Sequence, residues 1–184
     1  MRLELSNEIF GQTNIQRVFS FLAEDINGEF LAKEVQEATA LSKAGVYRAL
    51  DELVFQKLVR KHERGRFVLY GVIADNCVVR QFKVLKVVIS LVKLVDKLKA
   101  SSRKIVLFGS CARGEDYKDS DIDFFIVSTE PDLTRNIVAS FKSKRKIQAV
   151  IKTAVEAAQM EEKDSVFLSE VNSGVVLWEE KDGR

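Results

Sequence analysis

Phe108-Gly109-Ser110-Cys111-Ala112-Arg113-Gly114-Glu115, followed by Ser120-Asp121-Ile122-Asp123-Phe124-Phe125-Ile126-Val127, decides how this chain is read. The apolar run Lys104 to Phe108 predicts a strand. Gly109-Ser110 predicts a tight turn opening a short helix, and the run from Ile122 predicts a second strand. Asp121 and Asp123 are two residues apart, so on an extended backbone both carboxylates point to one face, with Ile122 and Phe124 on the other. Two acids side by side repel unless a cation lies between them. Mg²⁺ suits such a pair, because it takes oxygen ligands and is commonly held by one or two carboxylates together with substrate phosphates. A glycine turn lets main-chain amides approach an anion, and the start of a helix orients them toward negative charge. A phosphate cradle beside a metal-binding acid pair is suited to phosphoryl or nucleotidyl transfer.

Gly-Ser, ten intervening residues and Asp-x-Asp resemble the signature of the DNA polymerase β-like nucleotidyltransferase superfamily, and above all its minimal members. Arg113-Gly114-Glu115 and Ser120 extend the match to the common form Gly-Ser-x-Ala-Arg-Gly…Ser-Asp-Ile-Asp. The resemblance runs from Ser101 to about Glu180. It implies that Gly109 and Ser110 hold the phosphates of a nucleoside triphosphate, with ATP the first candidate. It further implies that Arg113 stabilises their charge and that Asp121 and Asp123 are catalytic and bind the metal. In the family a third acid on a later strand helps activate the acceptor hydroxyl. Here Gln148, in Arg145-Lys146-Ile147-Gln148-Ala149-Val150, stands at that position. An amide carries no charge and takes no proton at neutral pH.

Composition bounds the rest. The 184 residues are 46% hydrophobic and 30% charged with net charge +2, a globular balance in which only the distribution of charge speaks of partners. The two cysteines, Cys77 and Cys111, have no CxxC or Cys/His spacing, which points to a reducing cytoplasm. Cys111 is expected to be a buried, inert thiol. Met1 to Leu5 does not read as a signal peptide, and the lone histidine, His62, reads as a solvated loop residue.

The expected fold class is α+β in three parts: residues 1–73, a connecting helix at 74–100, and a small α/β nucleotidyltransferase sheet at 101–184. In the first part the apolar spacing predicts helices from Asn14 (as its own N-cap) to about Glu24, from Leu31 to about Ala38, and from a Ser42 cap through Val46, Leu50, Leu53 and Val54. Two strands, Leu58 to Lys61 and Arg66 to Tyr70, are expected to join at Glu63-Arg64-Gly65. This order resembles a winged helix-turn-helix. The resemblance implies double-stranded DNA as partner, with Lys43, Tyr47 and Arg48 at the major groove and Lys61, His62, Arg64 and Arg66 on a basic wing.

The connecting helix is expected from Asp75 to about Leu98, with Val78, Phe82, Leu85, Ile89, Val92 and Val95 as one apolar stripe that Val88, Leu91, Val95 and Leu98 widen. Arg80, Lys83, Lys86 and Lys93 interrupt the run too often for a membrane span. Its broad apolar face is expected to pack between domains or against a second copy, as a homodimer. The third part is expected to carry strands at Lys104–Phe108, Ile122–Ser128 and Lys146–Lys152, with helices on one side and Pro131 in a turn.

Three functional readings stay open. One is an Mg²⁺-dependent nucleotidyltransferase fused to a DNA-binding module. Another is a transcriptional regulator whose nucleotidyltransferase domain senses nucleotide with little or no catalysis. The third is an antitoxin-type enzyme that modifies a tyrosine of a small helical toxin.

Overall fold

A computed structural model describes residues 13–180; the expectations for the first twelve residues and the last four fall outside them. Contacts divide the chain into two units, residues 1–89 with 114–118, and residues 90–113 with 119–184.

The first unit follows the order α1 (Asn14–Leu22), β1 (Phe30–Leu31), α2 (Ala32–Thr39), α3 (Lys43–Phe55), β2 (Val59–Arg64) and β3 (Phe67–Val72). Thr13, not Asn14, caps α1: its side chain accepts from the Gln16 amide while Gln16 reaches back to the Thr13 amide, a capping box. Val18, Phe19 and Leu22 are buried, but Ile15 stays 39% exposed. Ser42 caps α3 as expected, accepting from the Gly45 amide at 3.2 Å. Ser42→Ala is therefore expected to cost about 1 kcal/mol, read as a lower urea midpoint with an unchanged denaturant slope. Val46, Leu50 and Leu53 join Val18, Leu22, Val35, Tyr70 and Val72 in one core.

The hairpin runs longer than its sequence suggests. Arg64 pairs with Phe67, so Gly65 and Arg66 form a two-residue loop, with Gly65 at φ +61°. β1, unanticipated because it is two residues long, pairs antiparallel with β3 and makes a three-stranded sheet of order β1-β3-β2.

α4 spans Cys77–Leu98, 22 residues and so about 33 Å. It starts two residues later than expected because Asn76 Oδ1 accepts from the amides of Val78 (2.8 Å) and Val79. The expected stripe holds in part. Val95, Leu91 and Leu98 are buried and Phe82 packs against the first unit's core, but Val78 and Leu85 are 52% and 46% exposed, and Val79, Lys83, Val87 and Leu94 are buried instead. Lys83, read as a break in the apolar run, lies on the buried face. Residues 77–89 of α4 belong to the first unit and 90–98 to the second. No helix of the described residues is long and apolar enough to cross a membrane.

The second unit is a four-stranded mixed sheet of order β6-β5-β4-β7, built from β4 (Ser102–Phe108), β5 (Ile122–Ser128), β6 (Ile147–Lys152) and β7 (Val175–Glu179). β4 is antiparallel to β5 and β7, and β5 is parallel to β6. Five helices complete the α+β fold: α4 already described, α5 (Gly109–Arg113), α6 (Pro131–Ser140), α7 (Ala154–Lys163) and α8 (Ser165–Asn172). Pro131 opens α6 rather than sitting in a free turn, which fits a residue with fixed φ and no amide to satisfy.

α7 and α8 pack on the face carrying Val106, Phe108 and Phe125, with Phe167 edge-on to Phe108 at 5.5 Å. The expectation of helices on one side only is corrected by the other face. Ile105, Leu107, Phe124 and Ile126 are all at 0% exposure, so both faces are covered. This two-sided burial explains why β5 reads Ile-Asp-Phe-Phe-Ile-Val and lacks apolar–polar alternation beyond its first residues.

Candidate active site

The strand pairing gathers the site at one end of the sheet. Antiparallel register sets Phe108, the last residue of β4, opposite Asp123 near the start of β5, so Gly109 follows directly beside that acid. Parallel register sets Asp123 beside Gln148 near the start of β6. The exit of β4 and the entries of β5 and β6 thus converge.

Gly109 is required on two grounds. Its φ is +71°, and a Cβ built on it would lie 2.7 Å from Asp123 Oδ2. Any side chain there would push the acid away and strain the backbone. Gly109 is buried and Ser110 half-buried, both in the opening turn of α5. Cys111 is fully buried, as expected of an inert thiol; its Sγ lies 3.2 Å from the Asp121 carbonyl oxygen.

Asp121 immediately precedes β5 and Asp123 lies within it; both are half-buried. Gln148 donates its side-chain amide to Asp121 Oδ2, and Lys146 Nζ lies 3.6 Å from the same oxygen. The Asp123 carboxyl is held above its ordinary pKa by burial first, then by the charges of Asp121 and Glu170, while Arg145 works in the opposite direction.

Because the folded value exceeds the unfolded one, the native state keeps this proton longer. The stability that ionised Asp123 withholds at neutral pH is regained as pH falls through the folded value. Asp123→Asn is expected to raise the melting temperature of divalent-free protein at neutral pH and to flatten its dependence in the acid range. Scanning calorimetry across pH measures both.

Two residues not named as site candidates from the sequence belong to this neighbourhood. Glu170 on α8 pairs with Arg113, the arginine expected at the phosphates, at 3.2 Å. Arg145 is half-buried, its Nε donating to the Ser120 carbonyl at 2.6 Å and its guanidinium reaching Cys111 Sγ at 2.9 Å and the Asp121 carbonyl at 3.4 Å. The basic run 142–146 was the signal for Arg145; nothing local marked Glu170, which reaches the site only through the packing of α8.

The residue set suits a divalent ion held partly by substrate. Two carboxylates converge, and one carries an electrostatic penalty that a cation would relieve. Among the described residues no group of three His, Cys, Asp or Glu side chains is placed to hold a metal. Substrate phosphates would complete such a shell.

The family model described as "Polymerase beta, Nucleotidyltransferase" matches residues 92–183. The chain belongs to this family. No curated protein and no solved structure matches it. As a polymerase β-type nucleotidyltransferase domain, the second unit brings together Gly109, Ser110, Asp121, Asp123 and Gln148 at one sheet end and adds Arg145 and Glu170 around them.

The remaining sequence-derived candidates lie in the first unit. Lys43, Tyr47 and Arg48 are exposed on the first turns of α3, and Lys61, Arg64 and Arg66 are exposed on the hairpin. Arg66 stacks 5.2 Å from the Phe67 ring. Half-buried Glu29 lies 3.2 Å from Arg64, 3.6 Å from Arg60 and 3.4 Å from His62 Nε2. His62 is therefore a strand residue beside an acid, not a solvated loop residue, and part of the hairpin's positive charge is balanced within the fold.

Proposed function

We propose that this protein is an Mg²⁺-dependent nucleotidyltransferase that moves a nucleoside monophosphate from a triphosphate, ATP first among candidates, to an acceptor hydroxyl. The observation carrying this reading is the packing of the Asp123 carboxylate against Gly109, which joins the acid pair and the glycine turn into one site. Gly109 and Ser110 present the turn to the triphosphate. Arg113 leaves Glu170 to meet the phosphate charge, and Asp121 and Asp123 provide the oxygen ligands. Mg²⁺, when bound, neutralises phosphate charge and aligns the α-phosphate. The acceptor hydroxyl oxygen bonds to the α-phosphorus and its proton passes to solvent, while the bond from the α-phosphorus to the bridging oxygen breaks and pyrophosphate leaves with that electron pair. The test is incorporation of label from α-labelled ATP with Mg²⁺ into candidate acceptors, a helical partner protein included. Incorporation no higher than that of Asp121→Ala/Asp123→Ala overturns the reading.

The first unit supports a winged helix as its assignment, from the order of three helices and a three-stranded antiparallel sheet ending in a hairpin. Duplex DNA is the proposed partner, through Lys43, Tyr47 and Arg48 on α3 and Lys61, Arg64 and Arg66 on the hairpin. Lys43→Ala/Arg48→Ala is expected to lower duplex affinity and reduce the log–log salt slope by about 0.9 for each phosphate left without its cation, measured by fluorescence anisotropy at several salt concentrations.

A second reading, a nucleotide sensor that regulates DNA binding without turnover, is favoured by one observation: Gln148 occupies the register position beside Asp123 where a proton acceptor would serve catalysis. Calorimetric Mg-ATP binding without label transfer supports it.

A further inference from the structure

One face of β2 gathers its basic side chains around a single acid. Arg60, His62 and Arg64 alternate along the strand, so period-two geometry sets all three on that face. Glu29 meets each of them. Its Oε1 lies 3.6 Å from Arg60 and 3.4 Å from His62 Nε2, and its Oε2 accepts from Arg64 at 3.2 Å. Glu29 itself stands in the loop just before β1, and the neighbouring backbone is shaped to deliver it. Arg60 is paired with Gly71 of β3, where a Cβ would lie 2.5 Å from the Gly28 carbonyl oxygen. Glycine at 71 therefore lets the Gly28 carbonyl approach β3 closely, which brings Glu29 within reach of β2.

Stability does not account for this arrangement. Side-chain exposures of 41% for Arg60, 34% for His62 and 74% for Arg64 leave these groups open to water, and ion pairs so exposed add little to a fold. A carboxylate shared by two guanidinium groups on an exposed strand has instead the chemistry of a bound phosphate, since the same planar donors serve both anions. We propose that Glu29 is a specificity-setting residue of the duplex interface: it occupies on β2 the place of a DNA backbone phosphate and so suppresses sequence-independent binding through Arg60 and Arg64.

Phosphate contacts supply essentially all non-specific affinity for DNA and carry no sequence information directly. An internal carboxylate that must be displaced before the arginines meet a phosphate lowers this contribution for every sequence alike. Base contacts from α3 are left as they were, so discrimination rises without a new attractive contact. The inference rests on the duplex-DNA reading of the first unit and goes beyond it, since neither Glu29 nor Arg60 has a part in that reading.

The test titrates the full chain against a fluorescent mixed-sequence duplex of about 20 base pairs near 0.1 M salt. Glu29→Gln keeps the size of the side chain and removes its charge. It is expected to bind the duplex about 10-fold more tightly, the effect of about one added phosphate contact at that salt. Glu29→Ala, which offers the arginines no amide oxygen either, is expected to show the same gain. Glu63→Gln makes an equal change in net charge at an exposed position of the same strand, and is expected to alter affinity by less than about 2-fold. In an Arg60→Gln/Arg64→Gln background the effect of Glu29→Gln is expected to vanish. Misfolding does not tighten binding, so a gain cannot arise from a damaged variant. Affinity no higher than the parent's in both Glu29 variants overturns the proposal. So does a gain that Glu63→Gln matches, or one that persists without Arg60 and Arg64, because either would reflect net charge alone. If Lys43→Ala/Arg48→Ala weakens parental binding while both Glu29 variants stay at the parental value, this inference fails and the DNA reading stands. Absence of duplex binding in the parent and in every variant sinks both.

Discussion

Gln148→Asp is expected to raise nucleotidyl transfer by about 10²–10⁴-fold, the usual contribution of a positioned general base. The position is favourable on backbone grounds, because Gln148 is the parallel-strand partner of Asp123 and its side chain already reaches Asp121. The native amide donates to Asp121 and so supports that carboxylate in the absence of metal, but it accepts no proton. An aspartate there exchanges a donor for a third negative charge. The same substitution is therefore expected to lower the melting temperature of divalent-free protein and to enlarge the stabilisation given by added Mg²⁺. Gln148→Glu, which keeps the side-chain length, separates reach from charge. Transfer kinetics and the Mg²⁺-dependent shift in melting temperature together decide the matter. A larger Mg²⁺ shift with no gain in transfer would mean that the missing base does not limit this site, and the nucleotide-sensing reading would then be the better one.

The parts of the fold that the sequence disclosed are those with a local physical signature. Ser42 before an apolar periodic run marks a helix start, and Asp-x-Asp after a Gly-Ser turn marks a strand end and the chemistry beside it. The family resemblance put Gln148 at the position of the third acid, but its pairing with Asp123 was seen only in the sheet. Other features needed three dimensions. β1 has two residues and no periodicity to read, and its existence depends on β3. The stripe of α4 was only partly legible because 14 of its 22 positions are apolar and spread around the helix. With so many apolar candidates, hydrophobicity could not say which face turns inward. Glu170 is 47 residues from Asp123 in sequence (170 − 123) and arrives beside it only because α8 packs on the sheet. Lys83 misled for a related reason: a lysine inside an apolar run reads as the solvent side of a helix unless the sequence also shows the acid that meets it, and Asp116 lies 33 residues away (116 − 83) in a loop.

That buried pair carries the largest stability effect expected in this protein. Lys83 Nζ and Asp116 Oδ1 are 3.5 Å apart with side-chain exposures of 3% and 4%, and Lys83 also donates to the Ala23 carbonyl at 2.7 Å. Both residues belong to the first unit, and around them the 114–118 segment is held at further points. Glu115 pairs with Arg80 at 3.3 Å and Asn27 donates to the Tyr117 hydroxyl. Gly114, at φ +68°, passes so close to the Arg80 carbonyl that a Cβ would lie 2.2 Å from its oxygen. Removing one member strands a charge away from water, so Asp116→Ala is expected to cost about 3–5 kcal/mol, a large share of the roughly 5–15 kcal/mol that holds a typical domain together. The loss is read as a lower urea midpoint. Replacing both partners should behave differently. Lys83→Met/Asp116→Leu removes the desolvation penalty along with the attraction, and buried pairs replaced by apolar residues of similar volume are commonly neutral or more stable by about 1–4 kcal/mol. A double-mutant cycle tests this directly. If the two single losses simply add in the double variant, the pair is not coupled and the stability comes from packing of the lysine stem. If the double variant recovers most of the single loss, the ion pair supplies specificity rather than net stability. It then fixes the place of residues 114–118 within the first unit.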